Sequence, residues 1–264
     1  MAVRQEIRKM SPFTEVELGY HGEAEVVLCS PDDPQAFQVD IEADEAVLDQ
    51  LRCEVRGSHL VLGLDVQWWE WAFAWWNWMY LSSQPIKYLI HMPRVQGLRL
   101  SGSGRLAAPA VQGELAELKI SGSGEIAADQ VEAANLMLKI TGSGRLRLNQ
   151  VKARSLQVSL SGSGSLSAGQ VESESLDTHL SGAGEMTLSG KALGHRLHLS
   201  GAGNVDTLGL ELKTLVINLS GSGRVKAAVT EHLDIHLTGA GEVLYSGKPQ
   251  MIQKVTGSGT IRSL

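Results

Sequence analysis

From about residue 96 to the end of the chain, apolar and polar residues alternate with a period of two, and the alternation is reset at a recurring tetrapeptide, [Ser/Thr]-Gly-[Ser/Ala]-Gly. Nine copies begin at Ser101, Ser121, Thr141, Ser161, Ser181, Ser200, Ser220, Thr238 and Thr256, at spacings of 20, 20, 20, 20, 19, 20, 18 and 18 residues. Around each copy the apolar residues fall five, three and one before the Ser/Thr and five, usually also seven, after it. Leu136, Leu138, Ile140, Leu146 and Leu148 around Thr141 show the rule. Such a period belongs to strands, since a helix needs apolar spacings of three and four. A further apolar residue ten positions on, as in Val111, Val131, Val151 and Val171, follows a polar corner such as Asn149-Gln150. Each repeat therefore reads as short strands separated by turns.

A coil of about twenty residues cannot close a core by itself. Stacked at about 4.8 Å, such coils pair their strands in parallel and bury one continuous apolar interior. The sequence thus predicts an all-β chain, a parallel β-solenoid with 18–20-residue coils, in which the motif glycines serve tight bends. The two 18-residue spacings should lose residues at corners, because a residue lost from a strand would invert the inward set.

The N-terminal third predicts strands without the motif, at Val16–Leu18, Glu25–Leu28, Phe37–Ile41, Leu60–Leu64 and Ile86–Met92. Arg56-Gly57-Ser58 reads as a hairpin turn, and Glu42–Leu51 as a short helix capped by Asp44. With no Pro/Gly/Ser linker before the first motif, residues 1–264 are read as one solenoid domain. Residues 12–95 form its irregular beginning and 96–264 its regular array.

Residues 67–81, QWWEWAFAWWNWMYL, interrupt the beginning and hold all six tryptophans: Trp68, Trp69, Trp71, Trp75, Trp76 and Trp78, with Phe73 and Tyr80 beside them. The plain reading is a flap that covers an edge of the solenoid. The functional readings are a subunit interface joining a homo-oligomer, a stacking platform for a glycan, or a contact with a membrane surface.

Charge narrows the partners. Twenty-nine acidic against 23 basic residues, net −6, give none of the basic excess that nucleic acid requires. The N-terminal residues show no secretory signal. Cys29 and Cys53 exclude a disulfide scaffold and read as buried, unpaired thiols. Gly102-Ser103-Gly104-Arg105-Leu106-Ala107 matches a dinucleotide-binding fingerprint. That fingerprint needs a helix after it and a single occurrence, whereas strand patterning follows here and the motif keeps returning. No cofactor is expected.

Two stripes on the solvent side stand out. Four residues after each Ser/Thr come Arg105, Glu125, Arg145, Ser165, Glu185, Asn204, Arg224 and Glu242, never with like charges adjacent, a pattern that favours the stacked register. Two residues before it come His179, His198 and His236, with Asp177 on the same face as His179 and with His195, at a usually apolar position, nearby in sequence. Asp177, His179 and His198 are candidate ligands for zinc or another transition metal. The plainer reading is polar residues that repetition alone places in register.

FTEVEL near the start, FQVDIEADEAVLDQLRCEV, and the run of SGSG, TGSG and SGAG repeats resemble the bacterial head GIN domain family of putative auto-transporter adhesins. That resemblance implies a right-handed β-helix whose GSG segments turn between sheets, an exported or envelope location, and adhesion; it carries no catalytic residues. The function expected is a non-enzymatic adhesion or scaffolding module of the cell envelope that binds a protein or a glycan, with the aromatic run at 67–81 as its main contact surface. The alternatives are a carbohydrate-active enzyme of β-helix type and a purely structural homo-oligomer.

Overall fold

A computed structural model describes residues 3–64 and 85–264; the aromatic run at 67–81 lies outside the described residues. The chain is a parallel β-solenoid of about eight turns. Its regular coils are β8 (Gly97–Gly102), β9 (Arg105–Gly122), β10 (Glu125–Gly142), β11 (Arg145–Gly162), β12 (Ser165–Gly182), β13 (Glu185–Gly201), β14 (Asn204–Gly221) and β15 (Arg224–Gly239). A last coil is divided into β16 (Glu242–Ser246), β17 (Gln250–Gly257) and β18 (Thr260–Ser263). From β8 on, every ladder between successive coils is parallel.

Each long strand bends where the alternation of buried and exposed residues breaks. In β10 the breaks fall at Asp129-Gln130 and Ala134-Asn135, and Gly142-Ser143-Gly144 makes the third corner. Ile126, Ala128, Val131, Ala133, Leu136, Leu138 and Ile140 all point inward. At the motif corner Gly142 takes φ +107, a backbone that side chains oppose. A Cβ on Gly164 would lie 2.7 Å from Ile140 Cγ2 and 2.7 Å from the Gly144 carbonyl. The corner amides pair with the coil before, as Ser143 N–H donates to Gly122 O at 2.9 Å.

The unequal spacings are absorbed at corners. Between β14 and β15, Thr207 pairs with Ala227 and Glu211 with Ala228, so three residues drop out there; one returns between Leu212 and Thr214, for a net change of two. The 19-residue coil loses its residue between Ala168 and Val171. The strand before each motif keeps its register throughout.

At the other end the chain adds β1 (Val3–Lys9), β2 (Glu15–Leu18), β3 (Glu23–Leu28), β4 (Gln38–Asp44), helix α1 (Glu45–Leu48), β5 (Leu51–Arg56), β6 (His59–Leu64) and β7 (Lys87–Met92). Strand β2 lies in parallel between β6 and β8, and β3 between β7 and β9, so the first coil in sequence is second in space. Antiparallel partners finish this end: β5 on β6 through the turn at Gly57, and β1 on β4, itself on β7. One apolar core runs from Phe13 to Val243.

Two expectations need correction here, and one strand goes beyond them. The helix is one turn: Asp44 caps it, its side chain accepting from Ala46 N–H at 3.0 Å, while Glu42–Asp44 belong to β4 and Leu51 opens β5. Pairing of β4 with two neighbours outweighs local helix preference. Val3–Lys9, which carries no apolar alternation, is a strand. Both thiols are free but half-buried; burial still pushes the Cys53 thiol up to about 11.

Candidate functional site

Because the strand before each motif never shifts, residues two before the Ser/Thr stack coil upon coil. Arg99, Lys119, Lys139, Ser159, His179, His198, Asn218, His236 and Lys254 form one row, and the motif Ser/Thr residues form a second beside it. No carboxylate enters these nine positions, although Glu17 of β2 stands in register with Arg99 at the end of the row. The imidazoles of His179 and His198 stack with centroids 4.9 Å apart and planes within 4°. His179 Nε2 lies 3.2 Å from Asp177 Oδ1, Arg196 approaches the other oxygen of that carboxylate at 3.7 Å, and His236 repeats the pairing with Asp234 at 3.3 Å. A shallow groove of about 350 Å³ follows the rows across four coils, between His179, His198 and His236 on one side and Ser181, Ser200 and Thr238 on the other.

Asp177, His179 and His198 are thus brought together, but stacked rings send their nitrogens out side by side. Among the described residues no three His, Cys, Asp or Glu side chains are grouped to hold a metal ion. His195 leaves the set: its strand position points inward, where it is 3% exposed and Nε2 lies 3.1 Å from the Thr178 hydroxyl. Burial pushes its pKa down to about 3, so it is a neutral core residue. The charged ladder pairs where geometry allows. Glu125 meets Arg147 at 3.0 Å and Arg145 at 3.6 Å, and Arg224 meets Glu242 at 2.7 Å. Trp68, Trp69, Trp71, Phe73, Trp75, Trp76, Trp78 and Tyr80 lie outside the described residues. Between the end of β6 at Leu64 and the start of β7 at Lys87 the sequence has 22 residues, 65–86, where the next coil has four, 19–22, between β2 and β3.

A second concavity escaped the sequence pattern. A cleft of about 760 Å³ lies on the outer side of β1, β4, β7 and β3, with Glu23, Glu25, Asp40 and Glu42 set against Lys87 and Arg105. It depends on antiparallel contacts between β1, β4 and β7, and no spacing in the sequence announces those.

The head GIN domain family, described as "Putative auto-transporter adhesin", matches residues 12–150 and 137–249. The chain belongs to this family. Its description points to the cell surface and to binding rather than catalysis. Solved structures share the fold. A putative adhesin from Parabacteroides distasonis ATCC 8503 is 15% identical with TM-score 0.72, over 100% of this chain and 97% of that one. A putative adhesin from Parabacteroides merdae ATCC 43184 is 16% identical with TM-score 0.72, over 99% and 96%. A putative lipid binding protein from Parabacteroides distasonis ATCC 8503 is 19% identical with TM-score 0.67, over 99% and 96%. No curated protein matches the chain.

Proposed function

We propose that the protein is a non-enzymatic adhesion or scaffolding module of the cell envelope, which holds an extended protein or glycan partner along its outer face. The groove beside the imidazole and hydroxyl rows supports this reading best, because parallel stacking repeats hydroxyls at the coil spacing over four coils and imidazoles over three of them, with Asn218 in the fourth. A repeating ligand can then make the same contact several times, and weak contacts sum through effective concentration. Binding of immobilised glycans, compared between the wild type and a His179→Ala/His198→Ala/His236→Ala variant, tests it. Weaker binding by the variant supports the groove, equal binding removes it, and turnover of a bound glycan would favour the enzyme alternative.

The aromatic run between β6 and β7 is proposed as a second contact surface, for a copy of the chain or for a partner. The support is compositional: eight aromatic rings between Trp68 and Tyr80, at about 150–250 Å² each, exceed what a soluble monomer ordinarily leaves exposed. If it joins copies, deleting residues 68–78 halves the mass in light scattering.

A further inference from the structure

Two outward rows of the array treat charge in opposite ways. In the row four residues after each motif Ser/Thr, Arg105, Glu125 and Arg145 alternate in sign from coil to coil, and Glu125 pairs with Arg145. In the row two residues before it, Arg99, Lys119 and Lys139 stand in register on three successive coils, at a spacing of about 4.8 Å. Like charges placed opposite one another on neighbouring strands weaken a sheet. Arg99 is neutralised by Glu117 at 2.8 Å and Glu15 at 3.6 Å, but among the described residues neither Lys119 nor Lys139 forms an ion pair. Past Lys139 the row runs through Ser159 to His179 and His198, so it leads into the groove described above, and the exposed hydroxyls of Ser121 and Thr141 flank it. The array as a whole leans the same way. Residues 97–264 hold 16 Lys and Arg against 14 Asp and Glu, whereas residues 1–96 hold seven against 15.

We infer that the row from Lys119 to His198 binds an acidic polysaccharide, a chain of carboxylate- or sulfate-bearing sugars laid across the strands; this rests on the groove reading above and adds the charge of the ligand. An anion over Lys119 and Lys139 relieves the repulsion that stacking them creates and accepts charge-assisted hydrogen bonds from both ammonium groups. The hydroxyls of Ser121 and Thr141, and the imidazoles further along, each offer a donor and an acceptor to sugar hydroxyls. The shape of the row selects among polyanions. It is one side chain wide, because the outward positions on its other side are Glu117, Met137, Gln157 and Asp177. A flat anionic membrane would press on Glu117 and Asp177 as well as on the lysines. An extended acidic peptide repeats its side chains on one face about every 6.6 Å, out of step with coils at about 4.8 Å. A linked sugar ring is close to one coil in length and keeps step.

The experiment measures binding of the full chain to polygalacturonate, alginate and dextran sulfate, with methyl-esterified polygalacturonate and plain dextran as uncharged counterparts. It compares the wild type, Lys119→Gln/Lys139→Gln and His179→Ala/His198→Ala/His236→Ala. The wild type should bind an acidic polymer, bind the uncharged counterparts far more weakly, and lose affinity as salt rises. The lysine variant should bind the acidic polymer about fivefold more weakly or worse, the loss of two surface ion pairs. Its thermal midpoint should hold, or rise at low salt, because like charges no longer stack. Equal binding of charged and uncharged glycans, weakened in the histidine variant but not in the lysine variant, overturns the inference and leaves the groove reading in place. Failure of the groove reading shows separately, as unchanged binding by the histidine variant, and overturns both. A wild type that binds none of the acidic polymers, or that prefers poly-glutamate or vesicles of an anionic phospholipid, also overturns the inference. So does a lysine variant that melts lower and binds unchanged, which would assign both lysines to folding.

Discussion

The regular array and the N-terminal cap bury the same kinds of side chain by different rules. In the array each coil is a template for the next: a residue's neighbours above and below are about twenty positions away, and parallel register does the rest. The cap cannot work that way, since its outermost strands have a neighbour on one side only. It is closed by chain reversal. Strands β1 and β5 run antiparallel to their partners, and Met10, Phe37, Cys53 and Val55 pack against the core from the end. Arg8 completes it, donating to Leu51 O at 2.9 Å and Leu48 O at 3.3 Å while pairing with Glu6 at 2.8 Å. Repetition propagates a solenoid, whereas ending one takes side chains chosen singly.

That contrast can be broken most severely within the array. One residue inserted after Val216 should turn Ile217 and Leu219 outward and Asn218 inward, a loss of roughly 5 kcal/mol or more from two exposed aliphatic side chains and a buried amide. The same insertion after Leu208, in the corner that already absorbs a three-residue difference, should shift the thermal midpoint little. Equal effects would refute the separation of strand from corner. Next in size, Leu62→Ala in the cap and Leu138→Ala in the array, both 0% exposed, should each cost about 2–5 kcal/mol in urea unfolding. A much smaller cost at Leu62 would mean that the cap is loosely packed.

Acid should strike the array before the cap. The unfolded chain protonates His195 near its ordinary value of 6.5, and the folded chain only near 3, so the folded state is fully favoured above 6.5. Stability then falls by roughly 1.4 kcal/mol per unit as pH drops from 6.5 toward 3. A comparison of unfolding at pH 7.5 and pH 5 should show a drop of about 2 kcal/mol from this residue, absent in His195→Leu. If His195→Leu is equally acid-sensitive, the buried imidazole is not the cause. Smallest is Arg8→Met, expected to cost about 1 kcal/mol by removing part-buried hydrogen bonds to the Leu48 and Leu51 carbonyls, with faster amide exchange in β1 and β5 and none of the change reaching β11.

Much of the candidate site was legible because it lies in the array. The stacking of His179 on His198 follows from counting two residues back from Ser181 and Ser200, and the Asp177–His179 pairing from the strand period. His195 illustrates the other side of the same rule: counting puts it five before Ser200, an inward position, and its contact with Thr178 one coil away exists only in three dimensions. The 760 Å³ cleft of the cap was illegible: Glu23 meets Lys87 and Arg105 through parallel pairings, but Asp40 and Glu42 join them only through the antiparallel crossing of β4 on β7, which leaves no period.

By itself the sequence determined the solenoid, its coil length, its inward columns and the corners that absorb the 18- and 19-residue coils. The reason is that a strand period of two and a repeat near twenty admit one way of burying all the marked positions at once. Only the tertiary structure decided how the stack ends. Val3–Lys9 has no inward apolar residue and becomes a strand because β4 offers it an edge, with Arg8 meeting carbonyls 40 and 43 residues away. Met251 and Val255 follow the array's pattern, yet are 39% and 43% exposed where Leu233 and Leu237, one coil earlier, are each 1% exposed. Local pattern fixes which face of a strand seeks the core, and the presence or absence of a neighbouring strand, a property of the whole assembly, fixes whether that face is buried.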